Sequence, residues 1–486
     1  MYPTDQYRDL QALNLLHSLL VSGDSGSPSA SAFLPPPGQL ALISTLVIHP
    51  NLTTRASSDD LLEASNFALR YLWSVLKLLG PANVPLIDAF DFLGLERSGR
   101  ARRKTRDTIF DTHKKDLRDV NNELATTSSL WVQVEDFWQV VGWAFNCSTA
   151  HKPRWERWSL WLDFMVTLFE DEMSHYHYSA NIAHPIAPTA EDGQESLFLH
   201  YLTAHTLQNA RERKILNSIF ADGVSARFTS AFPEVWKNET KSRKKAKSAN
   251  ITTPSQERID IEANEYRDYM ADSGSDLEEN SVAPVALTHN PDSETTALLG
   301  GSNAFDLRLR FIVLLSKVCI SFPELIMTPR DFYRQLVGHI RPLPLPSFSA
   351  FLATNFLNNL HQDVASSLIQ SLLQSFIEAA APTAKGSGVS QDELVKLYLP
   401  YTANTTSVSD NAKMSVCIEA LMRLLYKHGI LIWSEHLEAT LERGIAAREK
   451  KISRGKSKSD TGRAWMTASA ERMCMCLEML RQKSEG

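Results

Sequence analysis

The stretch from Trp131 to Phe169 constrains this chain more than any other. It holds Trp131, Trp138, Trp143, Trp155, Trp158 and Trp161, six of the protein's ten tryptophans. Trp155, Trp158, Leu162, Met165 and Phe169 fall at i, i+3, i+7, i+10 and i+14, one face of a helix. Trp161, Phe164 and Leu168 add a neighbouring apolar row. A helix apolar over so wide an arc must be covered from more than one side. Upstream, Val134, Phe137, Val141 and Phe145 line a second face, with Trp138 beside them. The intervening Cys147-Ser-Thr-Ala-His-Lys-Pro153 reads as a short polar break, with Pro153 suited to the first turn of the next helix. The expectation is two consecutive helices forming the hub of an N-terminal helical domain. Aromatic residues at this spacing read first as core, because each buries a large area and an indole needs a single N–H partner. A partner groove or a base-stacking platform is the sharper reading. Only Lys152, Arg154 and Arg157 accompany the rings, few for nucleic acid.

Helix signals recur along the rest of the chain. Residues 5–21 read as a helix and 22–38 as a Gly/Ser/Pro loop, while 40–48 is too short for periodicity to separate helix from strand. Ser57-Ser-Asp-Asp60 resembles a capping box for a helix reaching Leu79, stopped by Gly80-Pro81. Helices are expected over 105–124, 195–220 and 305–322, and again from Thr328, where Thr is N-cap and Pro329 occupies N1. Pro342-Leu-Pro-Leu-Pro346 predicts an extended connector. Beyond it the pattern predicts helices over 349–360, 362–381, 410–428, 434–452 and 463–483, plus a short one opened by the capping box Ser390-Gln-Asp-Glu393.

Two basic runs and one acidic one interrupt this pattern. Arg97, Arg100, Arg102, Arg103, Lys104 and Arg106 form a basic loop, a candidate for nucleic-acid contact. Lys241, Arg243, Lys244, Lys245 and Lys247 make a nuclear-localisation candidate. From Pro254 to Gly300 there are eleven acidic and two basic residues with few large apolar groups, a composition that cannot bury enough surface to offset its ordering entropy. Ser273 and Ser275, within Asp272-Ser-Gly-Ser-Asp-Leu-Glu-Glu279, are candidate phosphorylation sites. Seven further basic residues lie between Arg448 and Arg463.

The expected fold is therefore all-α: two irregular multi-helical domains, paired-helix and solenoid-like, joined by a long disordered charged linker. Their expected bounds are 1–236 with the hub at 131–169, a linker over 237–302 that is basic and then acidic, and 303–486. Five scattered cysteines argue against a disulfide framework and for a reducing compartment, and Cys474 and Cys476 point to different faces of one helix. The acidic N-terminus lacks the pattern of a signal or transit peptide, and no apolar run is long enough to span a bilayer, so the expectation is a soluble chain with no membrane partner.

No phosphate-binding loop, nucleophile elbow, kinase signature or Cys-x2-Cys pair occurs. Neither a cofactor nor a metal is implied, and no catalytic residue is assigned. Glu170, Asp171, His175 and His177, with His184, His200 and His205 downstream, are the single cluster from which a helical metalloenzyme could be built. The leading expectation is a non-catalytic nuclear adaptor, a helical subunit that holds other protein subunits of a complex acting on chromosomes or RNA. Direct nucleic-acid binding through the loops at 97–106 and 448–463 is the alternative, and the metalloenzyme comes third.

Overall fold

The computed structural model describes residues 3–25, 33–92, 123–182, 196–203, 208–241, 296–382, 389–453 and 460–485. These are mostly helical, with no strand among the described residues beyond an isolated bridge between Ile377 and Ala403. Numbered in chain order, the N-terminal helices are α1 (Pro3–Ser25), α2 (Pro37–Ile48), α3 (Asp59–Leu79), α4 (Leu86–Phe90), α5 (Leu130–Gln133), α6 (Phe137–Ala150), α7 (Lys152–Ile182), α8 (Leu197–Thr203), α9 (Gln208–Ile219) and α10 (Ala226–Ala231). After residue 296 come α11 (Ser302–Ser321), α12 (Pro329–Ile340), α13 (Leu345–Ala350), α14 (Thr354–Asn358), α15 (Gln362–Phe376), α16 (Gln391–Glu393), α17 (Val408–Lys427), α18 (Glu435–Ser453) and α19 (Asp460–Glu485). A π turn, Leu394–Tyr398, continues α16.

Helix α7 is the axis of the N-terminal part, packed by α2, α3, α6 and α11. All six hub tryptophans are buried, Trp158 and Trp161 completely. Trp131 donates its indole N–H to Ala41 O at 3.0 Å, Trp138 to Tyr201 O at 3.1 Å and Trp161 to Ser44 Oγ at 3.0 Å. Trp158 stacks on Trp236 at 5.9 Å, and Phe137 on Tyr201 at 4.7 Å. The hub is core, with no ring face open for a base.

Several local expectations shift by identifiable causes. Cys147–Ala150 stay in α6, so the break between the two hub helices contracts to His151. The acidic segment at Glu170 is not a helix end. No Gly or Pro follows until Pro185, and α7 runs on to Ile182. Of the helix expected over 195–220, α8 and α9 are described, and residues 204–207 between them lie outside the described residues. Pro346 falls in the first turn of α13, where its missing N–H is no loss, so the proline connector is short. The segment 349–360 is shared between α13 and α14. Residues 40–48 belong to helix α2. The Ser390 capping box has both of its reciprocal bonds, and Thr328 Oγ1 accepts from Asp331 N at 3.2 Å as an N-cap. Most of the helix expected over 105–124 lies outside the described residues.

The sequence placed the linker at 237–302, but ordered structure extends past both of those bounds. Glu239 is fully buried and ion-paired with Arg154. At the other end Leu299 is buried, and Gly300, at φ +91°, lies against Ser148 so closely that a Cβ would collide with its hydroxyl. Lys152 donates to Gly300 O at 3.2 Å. Both ends of the segment 242–295 are thus anchored at the first turn of α7, through Arg154 on one side and Lys152 on the other. Residues 242–295 themselves lie outside the described residues.

The two halves meet in one hydrophobic core. Phe311 of α11 packs among Phe137, Trp138 and Phe145 of α6 at centroid distances of 6.2, 6.1 and 6.3 Å. Arg308, also on α11, is fully buried. It donates to Ala221 O at 2.8 Å, to Leu299 O at 3.3 Å, to Ser148 Oγ at 3.4 Å and to Ile219 O. Its guanidinium lies 4.0 Å from the Phe145 ring centroid. Ile219 ends α9, so Arg308 satisfies carbonyls that a helix terminus leaves without intrahelical donors. Closer to solvent, Arg310 joins α11 to α7 through Asp163, Thr167 and Glu170.

Candidate partner-binding groove

In the C-terminal part, α17 is nearly all buried, and α18 and α19 both pack against it. Glu419 of α17, itself buried, takes a bidentate pair from Arg472 of α19 at 2.7 and 2.8 Å. α18 is held from below. Gly444 has no side chain because a Cβ there would strike Leu399 O, the carbonyl just after the π turn. One turn on, Arg448 donates to Leu399 O at 3.1 Å and to Tyr401 O at 3.2 Å. Burial pulls the Arg448 guanidinium down to about 10.

Between α18 and α19 lies an open groove, lined by Glu442, Ile445, Ala446 and Glu449 from one helix and Thr467, Ala470, Glu471 and Cys474 from the other. Each set follows i, i+3, i+4, i+7, so each is one continuous row along its helix. The floor is small and apolar, the rim carries three carboxylates, and among the described residues no lysine or arginine lines it. Cys474 is exposed, whereas the other four cysteines are buried. Partial burial, then the charges of Glu442, Glu478 and Glu438, push its thiol upward, so the acidic field converges on the groove. Met475 and Met479, on the outer side of α19, are also exposed. Both helices were legible in the sequence. The groove was not, because its rows lie to one side of each helix's apolar stripe and take meaning only when α17 sets the helices side by side. The spacing of Glu442, Ala446 and Glu449 was the available signal.

The residues nominated from sequence fare differently. Lys241 is exposed at the end of an ordered turn, while Arg243, Lys244, Lys245 and Lys247 lie outside the described residues. So do Arg97, Arg100, Arg102, Arg103, Lys104 and Arg106, and Ser273 and Ser275. The basic run 448–463 loses its first member as a surface contact, since Arg448 is 1% exposed and directs one Nη to the Leu399 and Tyr401 carbonyls. Lys451 in turn pairs with Glu378 at 3.3 Å. Of the carboxylate–histidine cluster, Glu170 is engaged by Arg310, and His200 bonds Asp91 at 3.1 Å. The side chains of His175 and His177, and His184 and His205, lie outside the described residues. Among the described residues no group of three or more His, Cys, Asp or Glu is arranged to hold a metal ion.

Among the described residues no helix is long and apolar enough to cross a membrane. No protein-family model, curated protein or solved structure matches this chain.

Proposed function

We propose that this protein is a non-catalytic adaptor, a helical subunit of a nuclear multiprotein complex acting on chromosomes or RNA. The observation that carries the reading is the α18–α19 groove. Two helices there present matched rows of small and acidic side chains to solvent, the geometry with which helical proteins seat a partner segment. The rest of the body supports it: one aromatic core, tied by Arg308 and Arg154, forms a rigid platform for that surface. Nuclear residence rests on the basic run Lys241–Lys247, and regulation on Ser273 and Ser275 in an acidic segment. The test is affinity purification of the tagged protein from its native cell, with and without nuclease, read by mass spectrometry. A fixed set of nuclear proteins in near-equal amounts, indifferent to nuclease, is expected. Recovery of the chain alone, or recovery that depends on nucleic acid, would reject the adaptor reading.

A further inference from the structure

The groove between α18 and α19 has a shape and a charge that select one kind of occupant. Resting on the adaptor reading above, we propose that it seats an amphipathic helix of a partner protein, with small and aliphatic residues along its seam and Lys or Arg on both flanks.

Four observations lead there. First, each row repeats at helical spacing over two turns, so each wall presents a stripe along which a third helix can lie. Second, Ala446 and Ala470 let another backbone approach closely, while Ile445 offers an aliphatic contact. Third, Glu442 and Glu449 stand on one wall and Glu471 on the other, with Glu438 and Glu478 adding to the field at Cys474. A helix with basic residues on both edges of its seam meets carboxylates on both sides; an acidic or wholly apolar one does not. Fourth, the walls are fixed before anything binds. Arg472 clamps α19 to Glu419, and Gly444 with Arg448 seats α18 on the Leu399 and Tyr401 carbonyls. Little ordering remains to be done on this side of the interface.

Cys474 supplies a built-in reporter, being the exposed cysteine among five and a lining residue of the groove. The probe is a designed peptide of about eighteen residues with a Leu/Ala seam and Lys flanks, and its controls are a scrambled peptide of the same composition and one with Glu in place of Lys. The experiment uses the full chain. The Lys peptide is expected to bind in fluorescence anisotropy and to slow alkylation of Cys474 several-fold, with neither control doing so. The charge-reversed protein Glu442→Lys/Glu449→Lys/Glu471→Lys is expected to lose at least tenfold in affinity for the Lys peptide and to gain affinity for the Glu peptide. These glutamates are exposed, so its melting temperature should stay near that of the unaltered protein. Were it to melt early, Ala446→Trp, which fills the seam without altering charge, replaces it with the same expected loss.

Equal binding of the scrambled peptide, or unchanged alkylation of Cys474, would overturn the proposal. So would concentration-dependent protection of Cys474 without peptide, which makes a second copy the occupant. Binding that appears only after deletion of 242–295 would likewise overturn it, because the basic run at its start, Arg243 to Lys247, would then be the chain's own occupant of the groove. The charge-reversed protein separates this proposal from the adaptor reading. Unchanged partner recovery from cells with the reversed groove sinks the groove and leaves the adaptor, whereas no stoichiometric partners for the unaltered protein sinks the adaptor itself.

Discussion

Arg308 is the side chain on which the union of the two halves most depends, and replacing it with Met sets two large effects against each other. Burial pulls its guanidinium from 12.5 down to about 9, so housing the charge costs roughly 5 kcal/mol at about 1.4 kcal/mol per pH unit. Met removes that cost. It also leaves the carbonyls of Ile219, Ala221 and Leu299 without their donor in a site that excludes water. Each orphaned carbonyl costs about 1–3 kcal/mol, a hydrogen bond to a charged donor being at the upper end. The lost contact with the Phe145 face adds about 1–2 kcal/mol more. At the charged-donor end of that range the losses exceed the relief, and the expected net is a destabilisation on the order of 3 kcal/mol. For a body of roughly 360 described residues that lowers Tm by about 4 °C. Arg308→Lys should lose a similar amount, since one ammonium cannot address carbonyls on three sides. Calorimetry on the full chain is the assay. A Met variant that melts at or above the unaltered protein would refute the reasoning, because the cost of burying the charge would then outweigh everything its hydrogen bonds return.

Other outcomes follow from the same contacts. Because both ends of 242–295 are anchored on the first turn of α7, cutting the chain at a protease site inserted within that segment should leave the two fragments co-eluting in gel filtration; separation at low micromolar concentration would contradict this. Gly444→Ala should destabilise by several kcal/mol, because the new Cβ displaces the Leu399 carbonyl and with it the Arg448 bond; a denaturant midpoint within error of the unaltered protein would refute it. His49 is held down to about 4 by burial and by Arg154 and Arg55, and its ring accepts from Asn51 N. Between pH 6.5 and 4 the unfolded chain therefore binds the extra proton. This residue's share of stability, up to about 3 kcal/mol, is present above pH 6.5 and lost as the pH falls toward 4. His49→Asn, which keeps the acceptor, should flatten the stability profile across that window, and an unchanged slope would exclude His49 as its source.

Local patterning was enough to place the long, strongly periodic helices and the faces they bury, though not the short elements or every helix end. Trp155, Trp158, Leu162, Met165 and Phe169 could be placed inside because a 3.6-residue period and large apolar side chains admit one favourable arrangement, whatever covers it. Thr328 and Ser390 could be read as helix starts because capping is satisfied within four residues of chain. Such local rules did not extend to the charged side chains. Arg448 and Glu239 read as members of solvated runs, yet both are buried, since what decides their fate is a carbonyl or a guanidinium supplied from far along the chain. Arg308 and Phe311 read as one more apolar helix with an arginine, and tertiary packing made them the join between the halves. The groove is of the same kind. Its two rows, which carry three glutamates between them, exist in the sequence as ordinary helix faces, and they become one surface because α17 packs against both α18 and α19. Local periodicity sets what each helix hides, whereas long-range pairing decides which polar groups are drawn inside and which exposed faces meet.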